Sequence, residues 1–162
     1  PAQETVWSQS ASAPPAVFAC GAAGGGGGQS VVSDRPAWQA TAGASIPGTK
    51  RLLPDLALLS GAPGFATITN GLPSVTLGTS GAAPVLAAAV LRINAERMAA
   101  GRAPVGFLNP LLYGPLAGTF RDITQGSNDV FGNGICCAAG PGFDMASGLG
   151  SPDVGTWPAL IP

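Results

Sequence analysis

The stretch Val75-Thr76-Leu77-Gly78-Thr79-Ser80-Gly81-Ala82-Ala83-Pro84 decides how the chain is read. A short apolar run ends in Gly-Thr-Ser, and small residues and a proline then open a long apolar segment. That order spells a strand, a tight turn and a helix start, with Ser80 at the turn. A hydroxyl there lies beside unpaired backbone N–H groups and the positive end of a helix dipole. Such a place suits a nucleophile that must generate and stabilise an oxyanion. The competing reading is a plain helix cap at Thr79 or Ser80.

Working outward, residues 64–70 and 72–77 read as two strands joined near Asn70-Gly71, a hairpin signal. Residues 84–100 form the best helix in the chain. Its first half is apolar on every face and is expected to be buried. Its second half is amphipathic: Ile93 is apolar, while Arg92, Asn94, Glu96 and Arg97 can reach water, and Gly101 is a plausible stop. Residues 52–59 read as a turn at Pro54 leading into a buried strand of a largely parallel sheet, with Asp55 as a structural acceptor rather than a catalyst. Upstream, Glu4-Thr5-Val6-Trp7 reads as a short strand and residues 8–16 as a loop. The glycines at 24–28 form either a flexible linker or a backbone that passes close to another chain or a substrate. Trp38 is expected to pack on the scaffold. Downstream, residues 105–113 suggest a short helix with Asn109 near its cap and Pro110 in the first turn, and residues 125–150 are glycine-rich loop.

The chain has 162 residues, a net charge of −1 and no histidine. The near-neutral charge points to neither nucleic acid nor an anionic membrane. Without histidine, Ser-His-Asp and Cys-His catalysis within the chain are excluded, as are most zinc sites. Any base must be a carboxylate, a lysine or a terminal amine. Charged residues are only 9%, against about 25% in ordinary soluble domains. Either the surface is deliberately uncharged, for work in acid or outside the cell, or part of it is buried against something else. The three cysteines, Cys20, Cys136 and Cys137, leave one without a partner in the chain. Adjacent Cys136 and Cys137 are not expected to bond each other. No apolar run is long enough to span a bilayer.

The long loop calls for a pin. Calcium takes six to eight oxygens from carboxylates, carbonyls and water. Asp122 and Asp144, with the carbonyls of Ile123, Gly140 and Gly142, would meet that need. Turn and cap roles for the two aspartates are the competing reading.

Together these segments resemble one family, the sedolisins or serine-carboxyl peptidases, a branch of the subtilisin-like fold. The matching pieces run in order from Glu4-Thr-Val-Trp7 and the glycine run through Gln29-Ser30, then Pro36-Ala-Trp38-Gln39 and Pro54-Asp55-Leu-Ala57. Gly78-Thr79-Ser80 with Pro84 follows. Next come Gly106 to Tyr113, Asp122-Ile-Thr-Gln-Gly126, Gly140-Pro-Gly-Phe-Asp144 and Gly148-Leu-Gly-Ser-Pro152. Residues 94–113 are especially similar to the tripeptidyl-peptidase branch.

The resemblance implies an α/β fold, the C-terminal half of a subtilisin-like doubly wound parallel-sheet domain with a long calcium-binding loop region. Residues 1–162 would then be one portion of a peptidase domain: a loop-rich glycine segment at 1–50, strands and the serine helix at 51–100, a short helix and the calcium loop at 101–162. It implies Ser80 as the nucleophile of a peptidase acting at acid pH, and Ca2+ held by Asp122, Ile123, Gly140, Gly142 and Asp144. The family's glutamate base, its orienting aspartate and its oxyanion-hole aspartate lie upstream of the matching segment. The implied partners are the N-terminal half as a second chain and a peptide substrate, in a secreted or other acidic compartment. Glu96 cannot substitute as base, since it lies roughly 24 Å along the helix from Ser80. The chain departs from the family pattern at Leu77, Gly81, Ala82 and Leu59-Ser60-Gly61. The alternative is a catalytically inactive binding or structural module on the same scaffold.

Overall fold

The computed structural model describes residues 3–9, 22–134 and 136–162. The elements in order are β1 (Ser8–Gln9), β2 (Ala23–Gly24), β3 (Gly28–Asp34), β4 (Lys50–Leu53), β5 (Phe65–Thr69), β6 (Leu72–Thr76), α1 (Thr79–Ala99), α2 (Asn109–Leu112), β7 (Phe120–Arg121), β8 (Ser151–Pro152) and α3 (Trp157–Leu160). Among the described residues the strands form two-stranded antiparallel ladders: β1 with β2, β3 with β4, β5 with β6 and β7 with β8.

The mixture of helix and strand is that of an α/β chain, but the expected parallel sheet has no ladder among the described residues. Residues 54–59 carry no strand assignment. Among the described residues their main-chain to main-chain bonds go to the returning segment, through Ala57 N to Gly150 O at 3.0 Å and Leu149 N to Asp55 O at 2.9 Å. A parallel strand exists only beside a neighbour reached by a long crossover, and no described strand lies beside this one. Glu4 to Trp7 is likewise not a strand; the first ladder begins at Ser8. The loop expected at 8–16 falls, from residue 10 on, outside the described residues, as does Cys20.

The β5–β6 hairpin is as expected. Asn70 and Gly71 take φ of 53° and 79°, the left-handed pair that suits the twist of a two-residue hairpin. Pairing Ala66 with Val75 and Ile68 with Pro73 puts an apolar set on one face, and Ile68 is 78% and Val75 60% exposed.

Helix α1 begins at Thr79, five residues before the expected start, so Pro84 lies inside it. Proline lacks the N–H that would bond the Ser80 carbonyl one turn back, and the helix tolerates that loss near its start. The helix ends in a Schellman arrangement. Arg102 N donates to Arg97 O at 2.8 Å and Gly101 N to Met98 O at 3.0 Å, with Gly101 at φ 72°. The expected burial of its apolar first half does not hold: Val85 and Leu91 are exposed, and Leu91 keeps 69% of its surface in contact with solvent. No layer of the described residues covers that side. Arg97, expected at the surface, is instead buried, and its guanidinium donates to the carbonyls of Ala103 and Ile161.

The main core gathers Ile93, Leu112, Leu116, Trp157 and Ile161. Trp157 is fully buried, and its indole N–H donates to Thr119 Oγ1 at 2.9 Å. A side chain of that size contributes about 3 kcal/mol by burial. A smaller cluster of Val6, Ile123 and Ala146 lies under the Asp122 and Asp144 loops. The glycine run does pass close to other backbone, but that backbone is the chain's own. A Cβ on Gly24 would meet the Trp7 carbonyl oxygen at 3.1 Å, and one on Gly27 would overlap the Met145 carbonyl. The sulfurs of the neighbouring Cys136 and Cys137 lie against each other.

Candidate active site and calcium loop

Ser80 stands in the first turn of α1, exposed. Gly78 sets the turn before it. Its φ of 89° belongs to the region glycine reaches without a Cβ penalty, and its N–H donates to Ser60 O at 2.6 Å. Gly81 follows as the one buried residue of this turn. A Cβ there would meet the Phe65 ring at 2.8 Å, so the hairpin presses directly on the helix start.

The turn borders an open cleft of about 1370 Å³, whose lining includes Thr79, Ala82, Leu86, Leu58, Leu59 and Trp7. No carboxylate of the chain serves Ser80, because all eight are bonded elsewhere. Glu4 accepts from Arg121 and Ser151, Asp34 from Lys50 and Glu96 from Arg92. Asp129 and Asp153 accept backbone N–H groups of their own turns. Asp55, Asp122 and Asp144 are held in the networks described next.

Asp55 is saturated with donors. Its carboxylate accepts from Arg51 Nη2 at 2.5 Å, Asn109 Nδ2 at 2.8 Å and Tyr113 Oη at 2.6 Å. Burial, reinforced by the hydrogen bond to this carboxylate, pushes the Tyr113 hydroxyl well above the usual phenol range. Gln39, fully buried, continues the network. It donates to Tyr113 Oη and Leu52 O and accepts from Leu52 N, each at 2.9 Å. Trp38 packs on Tyr113 with ring centroids 5.0 Å apart and lies under the Arg51 guanidinium at 4.9 Å. The structural role read for Asp55 and the packing read for Trp38 therefore both hold. Gln39 was not singled out in the sequence. A glutamine beside a tryptophan carries no signal of burial until the strand it pairs with is known.

The calcium candidates meet at one loop junction. Asp122 accepts from Gly142 N at 2.7 Å and Asp144 from Gly140 N at 2.9 Å. Asp144, 9% exposed, also accepts from Ala146 N, Ser147 N and Ser147 Oγ. The Ser147 hydroxyl lies 3.4 Å from Ile123 O, which ties the third segment to the other two. All five residues named from sequence are thus brought together. Two carboxylates and three carbonyls are the hard oxygen donors that calcium takes, so the residues fit that ion. No group of three or more His, Cys, Asp or Glu able to hold a metal exists among the described residues, so a calcium ion here would depend on main-chain oxygens.

No family model matches the chain. The chain is 39% identical over 160 residues to kumamolisin of Bacillus sp. (strain MN-32), a match that takes in 93% of this chain and 26% of that protein. It is 45% identical over 112 residues to tripeptidyl-peptidase sed1 of Aspergillus fumigatus, covering 68% of this chain and 16% of that one. Its fold superposes on Pseudomonas sedolisin, a serine-carboxyl proteinase solved with two molecules of pseudo-iodotyrostatin. The TM-score is 0.79 and the identity 27%, over 99% of this chain and 41% of that one. The chain belongs to the sedolisin family. It matches the C-terminal part of these peptidases, with similarity to the tripeptidyl-peptidase branch. It spans well under half the length of each of these relatives.

Proposed function

We propose that this chain is the serine-bearing part of a serine-carboxyl peptidase that works at acid pH. The observation that carries the reading is the Ser80 turn. An exposed serine stands two residues after a positive-φ glycine at a helix start, its neighbours Thr79 and Ala82 line an open cleft, and the chain is similar to peptidases along nearly its whole length.

Ser80 Oγ attacks the scissile carbonyl and gives its proton to a glutamate outside this chain, since the chain's own carboxylates are committed elsewhere. A carboxylate base works on the acid side of neutrality because its pKa lies near 4. The N-terminal part of the peptidase domain, as a second chain or as preceding sequence, supplies that base with its aspartate partners and covers the cleft. Residues 54–59 on the cleft floor would then find the parallel neighbour that this chain lacks. Asp122 and Asp144, with the carbonyls of Ile123, Gly140 and Gly142, hold Ca2+, which supplies fixed positive charge that locks the two loops together. A secreted or acidic compartment suits sparse charge and acid catalysis.

The test is peptide cleavage at acid pH by the assembled peptidase, with and without Ser80→Ala. Loss of roughly 10³-fold or more is expected, and turnover retained by the variant would rule out Ser80 as nucleophile. The inactive-module alternative draws on Ala82, which lines the cleft at a position where the family usually carries a second serine. It predicts an intact calcium loop, no upstream glutamate–aspartate pair and no cleavage by the wild type.

A further inference from the structure

The structure assigns Asp55 a positioning role toward Ser80: we infer that segment 54–60 is a strut, clamped at one end by the Asp55 carboxylate and holding the serine turn at the other. Its catalytic consequence rests on the peptidase reading above; its mechanical part does not.

At the clamped end, three donors from two elements converge on one carboxylate: Arg51 in β4, and Asn109 and Tyr113 at the two ends of α2. The Asp55 main chain is engaged as well. Its carbonyl accepts from Leu149 N at 2.9 Å. Gly148, at φ 68°, lies so close to the Asp55 carbonyl that a Cβ would overlap it. Gly148 in turn exchanges two main-chain hydrogen bonds with Asp144. The loop carrying Asp144 is therefore docked on the Asp55 peptide itself. Two residues further on, Ala57 N donates to Gly150 O. At the far end, Ser60 O receives the Gly78 N–H at 2.6 Å, and Gly78 is the residue before Thr79 and Ser80. The Ser60 side chain is buried and donates back to Leu58 O, so this end is internally braced.

A carboxylate that accepts several hydrogen bonds in a partly buried place fixes its own backbone more firmly than a neutral group could. Five residues of chain then carry that fixed point to the carbonyl that holds the serine turn. A nucleophile displaced by about 1 Å loses on the order of 10²-fold in rate, so the strut acts on kcat without touching substrate.

Asp55→Asn keeps the shape but turns an amide N–H2 toward the Arg51 and Asn109 donors. In the assembled peptidase it is expected to lower kcat by roughly 10- to 100-fold with KM within about 3-fold. Amide exchange at Gly78 should accelerate roughly tenfold while the middle of α1 is unchanged. Tyr113→Phe, which removes one donor and leaves the ring, should do the same to a lesser degree and stands in if Asp55→Asn does not fold. Ile161→Val, a core truncation remote from the strut, should lower the melting temperature without these effects. The inference is overturned if folded Asp55→Asn keeps both kcat and Gly78 exchange, or if its losses only match those of Ile161→Val at equal destabilisation. If the wild type cleaves no peptide, the peptidase reading falls, and Gly78 exchange alone decides the strut.

Discussion

Gly81 follows the serine where the family more commonly has alanine, and the structure supplies a local reason. The Phe65 ring of the hairpin occupies the space an alanine methyl would need. Gly81→Ala is therefore expected to destabilise by about 1–2 kcal/mol through overpacking, despite alanine's better helix propensity. Differential scanning calorimetry checks the sign, and Phe65→Leu in the same background should recover part of the loss. Asp144 is a stronger case. Its carboxylate satisfies three backbone N–H groups and a buried hydroxyl, so Asp144→Ala should cost about 3 kcal/mol. Tyr113 is the chain's one tyrosine, and burial holds its hydroxyl in the protonated form. A phenol whose folded pKa is raised contributes stability that is complete below the unfolded value, about 10. That stability is lost as pH climbs toward the folded value. In alkaline titration, the ultraviolet difference between wild type and Tyr113→Phe should show no phenolate signal near pH 10 while the protein stays folded. A normal titration there would contradict the buried hydrogen bond.

At the scale of elements, the hairpin was the most legible feature. Asn70-Gly71 between alternating residues names its turn type, and the backbone adopts it. Gly71→Ala should cost about 1 kcal/mol, since φ of 79° is strained for any residue with a Cβ. Urea unfolding would measure it, and no change in midpoint would argue against the turn. The start of α1 was less legible. Pro84 reads as the first residue of the helix because proline favours that place, whereas the helix starts at Thr79, directly after Gly78, whose N–H donates to the Ser60 carbonyl. Arg97 was misplaced for a similar reason. Helical spacing puts it on the solvent side, but the returning C-terminal segment offers the Ile161 carbonyl to its guanidinium. Contacts 60 residues apart leave no trace in a local pattern.

For the molecule as a whole, the exposed apolar side of α1, the outward face of the hairpin and the open cleft tell the same story as the sparse charge. A surface of that kind is a docking face or an aggregation hazard. The chain expressed by itself is expected to associate and to bind a dye such as ANS, and co-expression with the N-terminal part should suppress both. A clean monomer that binds no dye would count against the docking proposal. The proposed calcium site is tested at the same scale. A chelator should lower the melting temperature of the assembled peptidase, as expected for any ion that binds only the folded state. Asp122→Asn should abolish that difference while leaving Ser80 in place.

The sequence by itself determined the local geometry: the hairpin turn, the stop at Gly101 and the serine near a helix start, because each depends on residues within a few positions of one another. The absence of a histidine base was legible too, and distance along a helix removed Glu96, but that the remaining carboxylates are bonded elsewhere was decided by the structure. Only the tertiary structure decided which side of α1 stays bare, that Arg97 and Gln39 are buried, and that Asp55 ties the Asp144 loop to the segment bearing on Gly78. Burial and hydrogen-bond partnership are settled by which distant segments meet, and a one-dimensional pattern of polar and apolar residues does not encode that meeting.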